Sequence, residues 1–304
     1  MRLIAAALSM LLAINTASTK EINNPDQSIK CDSCERWNTP QKPFKIFGNT
    51  YYVGVKGLAA ILIATPRGLV LLDGGLPQSA PLIEQNIRSL GFAIKDIKWI
   101  LNSHAHYDHA GGIAALQRDS EARIAASISG AQALQAGRAP EDDPQFAFGE
   151  SMNFPSVKKV KKMKDGEKLR IGKAEITAHS TPGHTPGGTT WTWNSCEGNR
   201  CLTIVYADSL NAISAPGFRF SGGKNQPDIT KTFKASIEKV ANLPCDILLT
   251  VHPELSSILD KAEDFQSNLS ENPFIDPQAC RKYAENATQR LEQRLAEERA
   301  TSPE

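Results

Sequence analysis

Residues 103–112 read SHAHYDHAGG, so three of the chain's six histidines and an aspartate share six consecutive positions, 104–109. Imidazole and carboxylate are the usual nitrogen and oxygen ligands of divalent transition metals. The apolar run IKWILNS leads into the stretch, and alternate residues of a strand share a face. His104 and His106 are therefore expected on one side, converging on one metal. Asp108 and His109 fall at the start of a helix, displaced toward a neighbouring point. Ala110, Gly111 and Gly112 are small enough for a tight turn there. One short segment thus offers two ligands to each of two adjacent metals. Histidines that fill a polar core come singly or in pairs; four donors in HxHxDH spacing after an apolar strand point to a metal site.

Further ligands must come from elsewhere in the chain. His184 stands in the Gly/Pro-rich turn STPGHTPGGTTW, and His252 follows the apolar run in LLTVHPE. Either alone would suit a structural role. With the first cluster they account for five of the six histidines. The remaining one, His179, reads as a strand residue with no metal role.

The surrounding patterns define the elements that must position these groups. KIFGNTYYVGV, AAILIAT and GLVLLDGG are strand-like, and APLIEQNIRSLGF has helical spacing of apolar residues. GGIAALQRDS, ISGAQALQAGRA, DITKTFKASIEKVANL and ACRKYAENATQRLEQRLAEERA also read as helices. ARIAAS, EKLRIG, AEITAHS, TTWTWNS, CLTIVYAD and CDILLTVHP read as strands. Residues 138–157 fit no period and read as a loop long enough to be functional. Strands then helices, twice over, suggest an α/β chain of two halves packed sheet to sheet with helices outside. No Gly/Ser linker separates them, so residues 44–304 are expected to form a single domain after an extension over 19–43.

Composition bounds the function. The 304 residues are 40% hydrophobic and 22% charged, with a formal net charge of +1, so no global field draws the chain to nucleic acid or an anionic membrane. The dense run KKVKKMK reads as a solvated strand edge or loop rather than a nucleic-acid patch. Residues 1–18 have the anatomy of a cleaved export signal: Arg2, an apolar run from Leu3 to Ala13, then small residues. That run falls well short of the ~20 residues of a membrane span. The mature protein is therefore expected to be soluble, periplasmic and monomeric. Six cysteines suit an oxidising compartment, although six allow 15 pairings. Cys196–Cys201 would close a hairpin, Cys245–Cys280 could tie the last strand to the terminal helix, and Cys31–Cys34, with no second CxxC to complete a zinc site and no thioredoxin-type unit after it, reads as a structural or incidental pair.

The motifs HxHxDH, PGHTPGG, YADSL and VHP together resemble those of the metallo-β-lactamase superfamily. GNTYYVGV, LLDGG, DPQF, TWTWNSCEG, CDILLT and the Cys280 helix make the chain most similar to its subclass B3. That resemblance implies a four-layer αββα sandwich with two zinc ions at the edge between the sheets. It assigns His104, His106 and His184 to the first zinc, and Asp108, His109 and His252 to the second. Asp108 would also orient the nucleophile. Ser209 would bind water or a substrate carboxylate, and Asp73 would orient the ligand loop. Asn211 stands where such enzymes commonly carry Ser or Thr, so its amide would have to replace a hydroxyl toward that carboxylate. By position Gln145, Phe146, the loop through Phe154, and Trp37 would flank the substrate. The implied activity is opening of the β-lactam ring of penicillins, cephalosporins or carbapenems by a zinc-bound hydroxide, conferring antibiotic resistance. Two other readings remain: a lactone or thioester hydrolase of the same fold, in which Asp208 would face in and bridge both metals, or a non-catalytic zinc-binding protein.

Overall fold

A computed structural model describes residues 24–224, 226–267 and 271–301. The expected export segment lies outside the described residues. Seven strands form one sheet: β1 (Phe44–Phe47), β2 (Thr50–Tyr52), β3 (Ile61–Thr65), β4 (Gly68–Leu72), β5 (Ile97–Leu101), β6 (Arg123–Ser127) and β7 (Val160–Met163), in that order. Pairing is antiparallel from β1 to β4 and parallel from β4 to β7. The second sheet runs β12 (Ile247–Thr250), β11 (Arg200–Ala207), β10 (Thr189–Glu197), β9 (Ala174–Ser180), β8 (Lys168–Ile171). Only β11 and β12 are parallel there.

Three apolar layers hold these sheets and their helices together. Ile61, Ile63, Val70 and Leu72 meet Trp191, Trp193, Ile204 and Leu249 between the sheets. Behind the first sheet, Leu62, Leu71 and Ile100 pack under α2 (Ala80–Ser89), α4 (Ile113–Ser120) and α5 (Ile128–Ala136). Behind the second, Val205 and Leu248 pack under α6 (Thr230–Ala241) and α8 (Ala279–Ala300). Central strands such as β3 and β4 are covered on both faces, which is why they read as continuous apolar runs rather than alternating ones. Each such side chain removed from water contributes about 1.5–3 kcal/mol. The result is the expected αββα sandwich.

All three expected disulfides are formed, and no cysteine is free. Cys196 and Cys201 are direct cross-strand partners on β10 and β11. The lysine-rich run becomes β7, an edge strand with Lys161 and Lys162 exposed, where charge discourages pairing with another chain. No helix among the described residues is long and apolar enough to cross a membrane.

Three helices differ from the sequence reading: α1 (Cys34–Trp37) and α7 (Ile258–Ser267) are additional, and the helix start expected at Asp108 and His109 is a separate turn, α3 (Tyr107–Ala110), ahead of α4. Both α1 and α3 are single turns, too short for a period. Helix α7 carries Ile258, Leu259, Ala262 and Phe265 at helical spacing and packs them toward the inter-sheet core. The expected loop over 138–157 contains a 3-10 turn at Phe146–Met152.

Candidate metal centre

The ligand-bearing segments all leave strand ends. His104–His109 follow β5, His184 lies in the turn between β9 and β10, and His252 follows β12. The strand expected to run to Ser103 stops at Leu101, so the pleat does not place His104 and His106 on one face. The backbone is instead held by side chains. The Asp73 carboxylate accepts from the Ser103 amide (2.8 Å), the Ser103 hydroxyl (2.6 Å), the Asn102 amide group (3.0 Å) and the Tyr206 hydroxyl (2.8 Å). Asp73 is fully buried and takes a left-handed φ of 60°, a costly conformation that persists only where the surroundings impose it.

Two glycine pairs make the turn after His109 possible. The Gly74 amide donates to the His109 carbonyl (2.9 Å), and the Gly112 amide to the Gly75 carbonyl (3.0 Å). A Cβ on Gly112 would lie 2.2 Å from the Gly74 carbonyl oxygen. LLDGG and HAGG therefore pack backbone on backbone, with no room for a side chain.

Six side chains meet at this rim. The rings of His104, His106 and His184 lie 4.9–5.0 Å apart and nearly perpendicular to one another, with one nitrogen of each within 4.8 Å of the others. His104 Nε2 is buried and has no hydrogen-bond partner. Beside them, His109 Nε2 is 3.2 Å from His252 Nε2, and Asp108 Oδ2 is 3.3 Å and 3.4 Å from those same two nitrogens. Ligands bound tetrahedrally at ~2.0–2.1 Å sit about 3.3 Å from each other. The second triad matches that separation, and the orphaned nitrogen of the first triad needs just such a partner. An imidazole-rich set with one carboxylate suits zinc.

Behind the rings, acceptors fix which nitrogen faces the centre. His104 Nδ1 donates to Asp208 Oδ1 (2.7 Å), and His106 Nε2 to the Asp143 carboxylate (3.1 Å). His184 Nδ1 donates to the Asn211 carbonyl (2.9 Å) and His252 Nδ1 to the Gly57 carbonyl (3.2 Å). Such partners set the tautomer and leave the opposite nitrogen's lone pair for a metal. His106 is thereby presented through Nδ1, the others through Nε2.

Charge in the site follows from burial and neighbours. Burial, with repulsion from His109, His106 and His184, holds His104 well below the usual imidazole range. Burial and His106 push His184 down to about 3, so both stay neutral and able to ligate. For His106 and His252 burial acts downward, but Asp143 and Asp108 respectively outweigh it and raise them. Burial would raise Asp108, yet His109 and His252 hold it well below the carboxylate range. Burial raises Asp208 well above that range.

All six expected ligands come together. Ser209 is buried beside Asp208, and Trp37 lies with its ring 5.4 Å from His252. Asn211 contributes its backbone carbonyl to His184, while its side-chain oxygen is buried without a partner. The Gln145 amide donates to Asp143 Oδ1 (2.8 Å). His179 bonds Thr192 within the second sheet, as a strand residue should. Phe154 departs from expectation: it is 1% exposed and fills the core under α5, so it cannot flank a substrate. Phe146 and Phe148 stand exposed on the 3-10 turn instead. The Ala215 amide ties that loop to the segment after Asn211 through the Pro144 carbonyl (2.9 Å).

Two orienting carboxylates were not assigned that role from sequence. Asp143, in DPQF, was legible only as part of a family pattern. A bridging Asp208 would face both metals, but its carboxylate engages the rear nitrogen of His104. A Cβ on Gly188 would lie 2.3 Å from Asp208 Oδ2, so the last glycine of PGHTPGG makes room for that carboxylate.

An αββα sandwich whose rim gathers two adjoining triads of buried donors is a metallohydrolase scaffold. The family model of the metallo-β-lactamase superfamily matches residues 53–192. Among solved structures, the chain is 50% identical to Rm3 metallo-β-lactamase, with a TM-score of 0.85 over 89% of this chain and 99% of that one. It is 48% identical to MEM-A1, a subclass B3 metallo-β-lactamase isolated from a soil metagenome library (TM-score 0.84; 88% of this chain, 100% of that one). A hydroxyacylglutathione hydrolase of Cereibacter sphaeroides is 27% identical over 57% of this chain and 51% of its own length. The chain spans between half and three fifths of the curated relatives it matches. This chain belongs to the metallo-β-lactamase superfamily, within subclass B3.

Proposed function

We propose that this protein is an exported, zinc-dependent β-lactamase. The observation that carries the reading is the pair of adjoining triads, with four of their five imidazoles oriented from behind, in a chain half identical to Rm3 metallo-β-lactamase. His104, His106 and His184 would hold one zinc ion, and Asp108, His109 and His252 a second. Zinc there would polarise a β-lactam carbonyl and lower the pKa of a coordinated water to about 7.

The chain's own residues do the remaining work. Asp108 is anionic at neutral pH, directs Oδ2 at His109 and His252, and has Oδ1 left to orient the attacking water and receive its proton. Ser209 and the Asn211 amide supply donors for the carboxylate that β-lactam antibiotics carry. Gln145, Phe146 and Trp37 would border the cleft, and the exposed ring of Phe146 would suit the antibiotic's apolar substituents. Residues 1–18 act as the removed export signal, delivering a soluble monomer to the periplasm.

Asp208 favours this reading over a lactone or thioester hydrolase. Its carboxylate binds the nitrogen of His104 that faces away from the centre, so it orients one ligand rather than bridging two metals. Purified protein offered a chromogenic cephalosporin should open the ring, stop on chelation and recover with zinc. Turnover confined to lactones or thioesters would replace the proposal, and zinc binding without any turnover would leave a binding protein.

A further inference from the structure

At the opposite end of the first sheet lies a second hollow of about 610 Å³. Arg67, Lys95, Lys98, Arg123 and Arg170 line it, against the single carboxylate of Glu121. The chain as a whole carries a formal charge of only +1, so this is a local concentration of positive charge. Its place in the fold separates it from the metal centre. Arg67, Lys98 and Arg123 stand at or before the starting ends of β4, β5 and β6, whereas Asp73 and His104 follow the ends of β4 and β5. Five strand residues at ~3.3 Å each put about 16 Å between the two ends.

The charges are not all spent internally. Lys95 pairs with Glu121 and Arg170 with Glu175, each at 2.7 Å. Arg67, Lys98 and Arg123 form no ion pair among the described residues. Lys98 Nζ donates to the Lys95 carbonyl (2.9 Å), which holds that ammonium at the rim. The Arg123 guanidinium lies 3.9 Å from the Trp99 ring centre, over its face. That contact aligns the guanidinium and also covers the indole face, leaving no face for stacking a base. Ile97 and Ile171 form an apolar part of the lining. Three cations without counter-ions, beside a short apolar wall, match a compact polyanion with a small carbon skeleton. Guanidinium forks suit the oxygens of a phosphate in particular.

We propose that this hollow is a binding site for phosphate esters, held by Arg67, Lys98 and Arg123. A free sugar bisphosphate and the headgroup of an anionic phospholipid share that chemistry. The test uses the zinc-loaded full chain, titrated calorimetrically with fructose 1,6-bisphosphate and, separately, co-sedimented with phosphatidylcholine vesicles with and without phosphatidylglycerol. Binding should weaken with added salt. The triple variant Arg67→Gln/Lys98→Gln/Arg123→Gln should lose it by about tenfold or more, and Lys98→Gln alone by about threefold, as expected for partly exposed charges. Cephalosporin hydrolysis should be unchanged in both. Variant-sensitive binding in the bisphosphate arm names a soluble ligand; in the vesicle arm alone, it names a membrane headgroup. No binding in either arm, or binding that survives both variants because the phosphate sits at the metal centre, overturns the proposal.

Discussion

Asp208 and Asp143 show how much of a metal site lies outside its ligands. Neither belongs to the two triads, yet each holds one imidazole of the first in a single tautomer through a contact of 2.7 Å and 3.1 Å respectively. Replacing such an orienting carboxylate typically costs ten- to a hundredfold in metal affinity or activity. Asp208→Ala and Asp143→Ala should therefore each lower zinc affinity by about that factor, measured by competition with a chromophoric chelator. An affinity equal to wild type in both variants would reduce these residues to packing. The ligands themselves were legible because HxHxDH compresses four donors into six positions. The two carboxylates were not, since Asp143 and Asp208 meet their histidines only across 37 and 104 residues of chain.

At the scale of elements, α8 supports the segment that carries Asp208, Ser209 and Asn211. The Tyr283 hydroxyl donates to the Asp208 carbonyl (2.9 Å) and accepts from the Leu210 amide (3.1 Å), clamping the backbone on both sides of Ser209. Tyr283→Phe strands both buried groups, which should cost about 1–3 kcal/mol in stability. It should also lower kcat/KM severalfold with zinc content retained; unchanged kinetics would show that the clamp does not position the site. About four turns further along the helix, Glu298 accepts from the Phe220 amide (2.8 Å) and from the Ser221 amide and hydroxyl (3.0 and 2.6 Å). Burial acts to raise Glu298, but those bonds and Arg294 outweigh it, so its folded pKa lies below the ordinary 4.5. A depressed carboxylate stabilises the fold above its unfolded pKa and loses that contribution as pH falls through the folded value. The melting-temperature advantage of wild type over Glu298→Gln should thus be full near neutrality and shrink as pH falls from the ordinary 4.5 through the lower folded value. An advantage independent of pH would contradict the assignment.

For the molecule as a whole, stability and function converge on the same disulfide. Cys245–Cys280 joins the approach to β12, which delivers His252, to the base of α8, which clamps Asp208. It spans 35 residues, and closing a loop of that size is worth about 4 kcal/mol in the chain-entropy model. Cys245→Ser/Cys280→Ser should lower the unfolding free energy by about 2–4 kcal/mol, read from urea denaturation of the zinc-loaded protein. A loss under about 0.5 kcal/mol would mean that packing of α8 already supplies the constraint.

The sequence by itself determined the class of fold, the donor set and the order of the elements. Strand and helix periods, glycine pairs and ligand spacing are all local patterns, and local patterns survive in one dimension. It suggested the Cys196–Cys201 bridge, because those cysteines flank a hairpin, but six cysteines allow 15 pairings and only the fold brings Cys245 to Cys280 across the intervening α7. Only the tertiary structure decided which nitrogen each histidine presents, which way Asp208 faces, that β5 stops at Leu101, and that Phe154 belongs to the core. Those outcomes turn on hydrogen bonds and packing between segments far apart in the chain. The cationic hollow is of the same kind: Arg67, Lys98, Arg123 and Arg170 are scattered along the sequence, and only the parallel alignment of strand starts beside the β8–β9 turn gathers them.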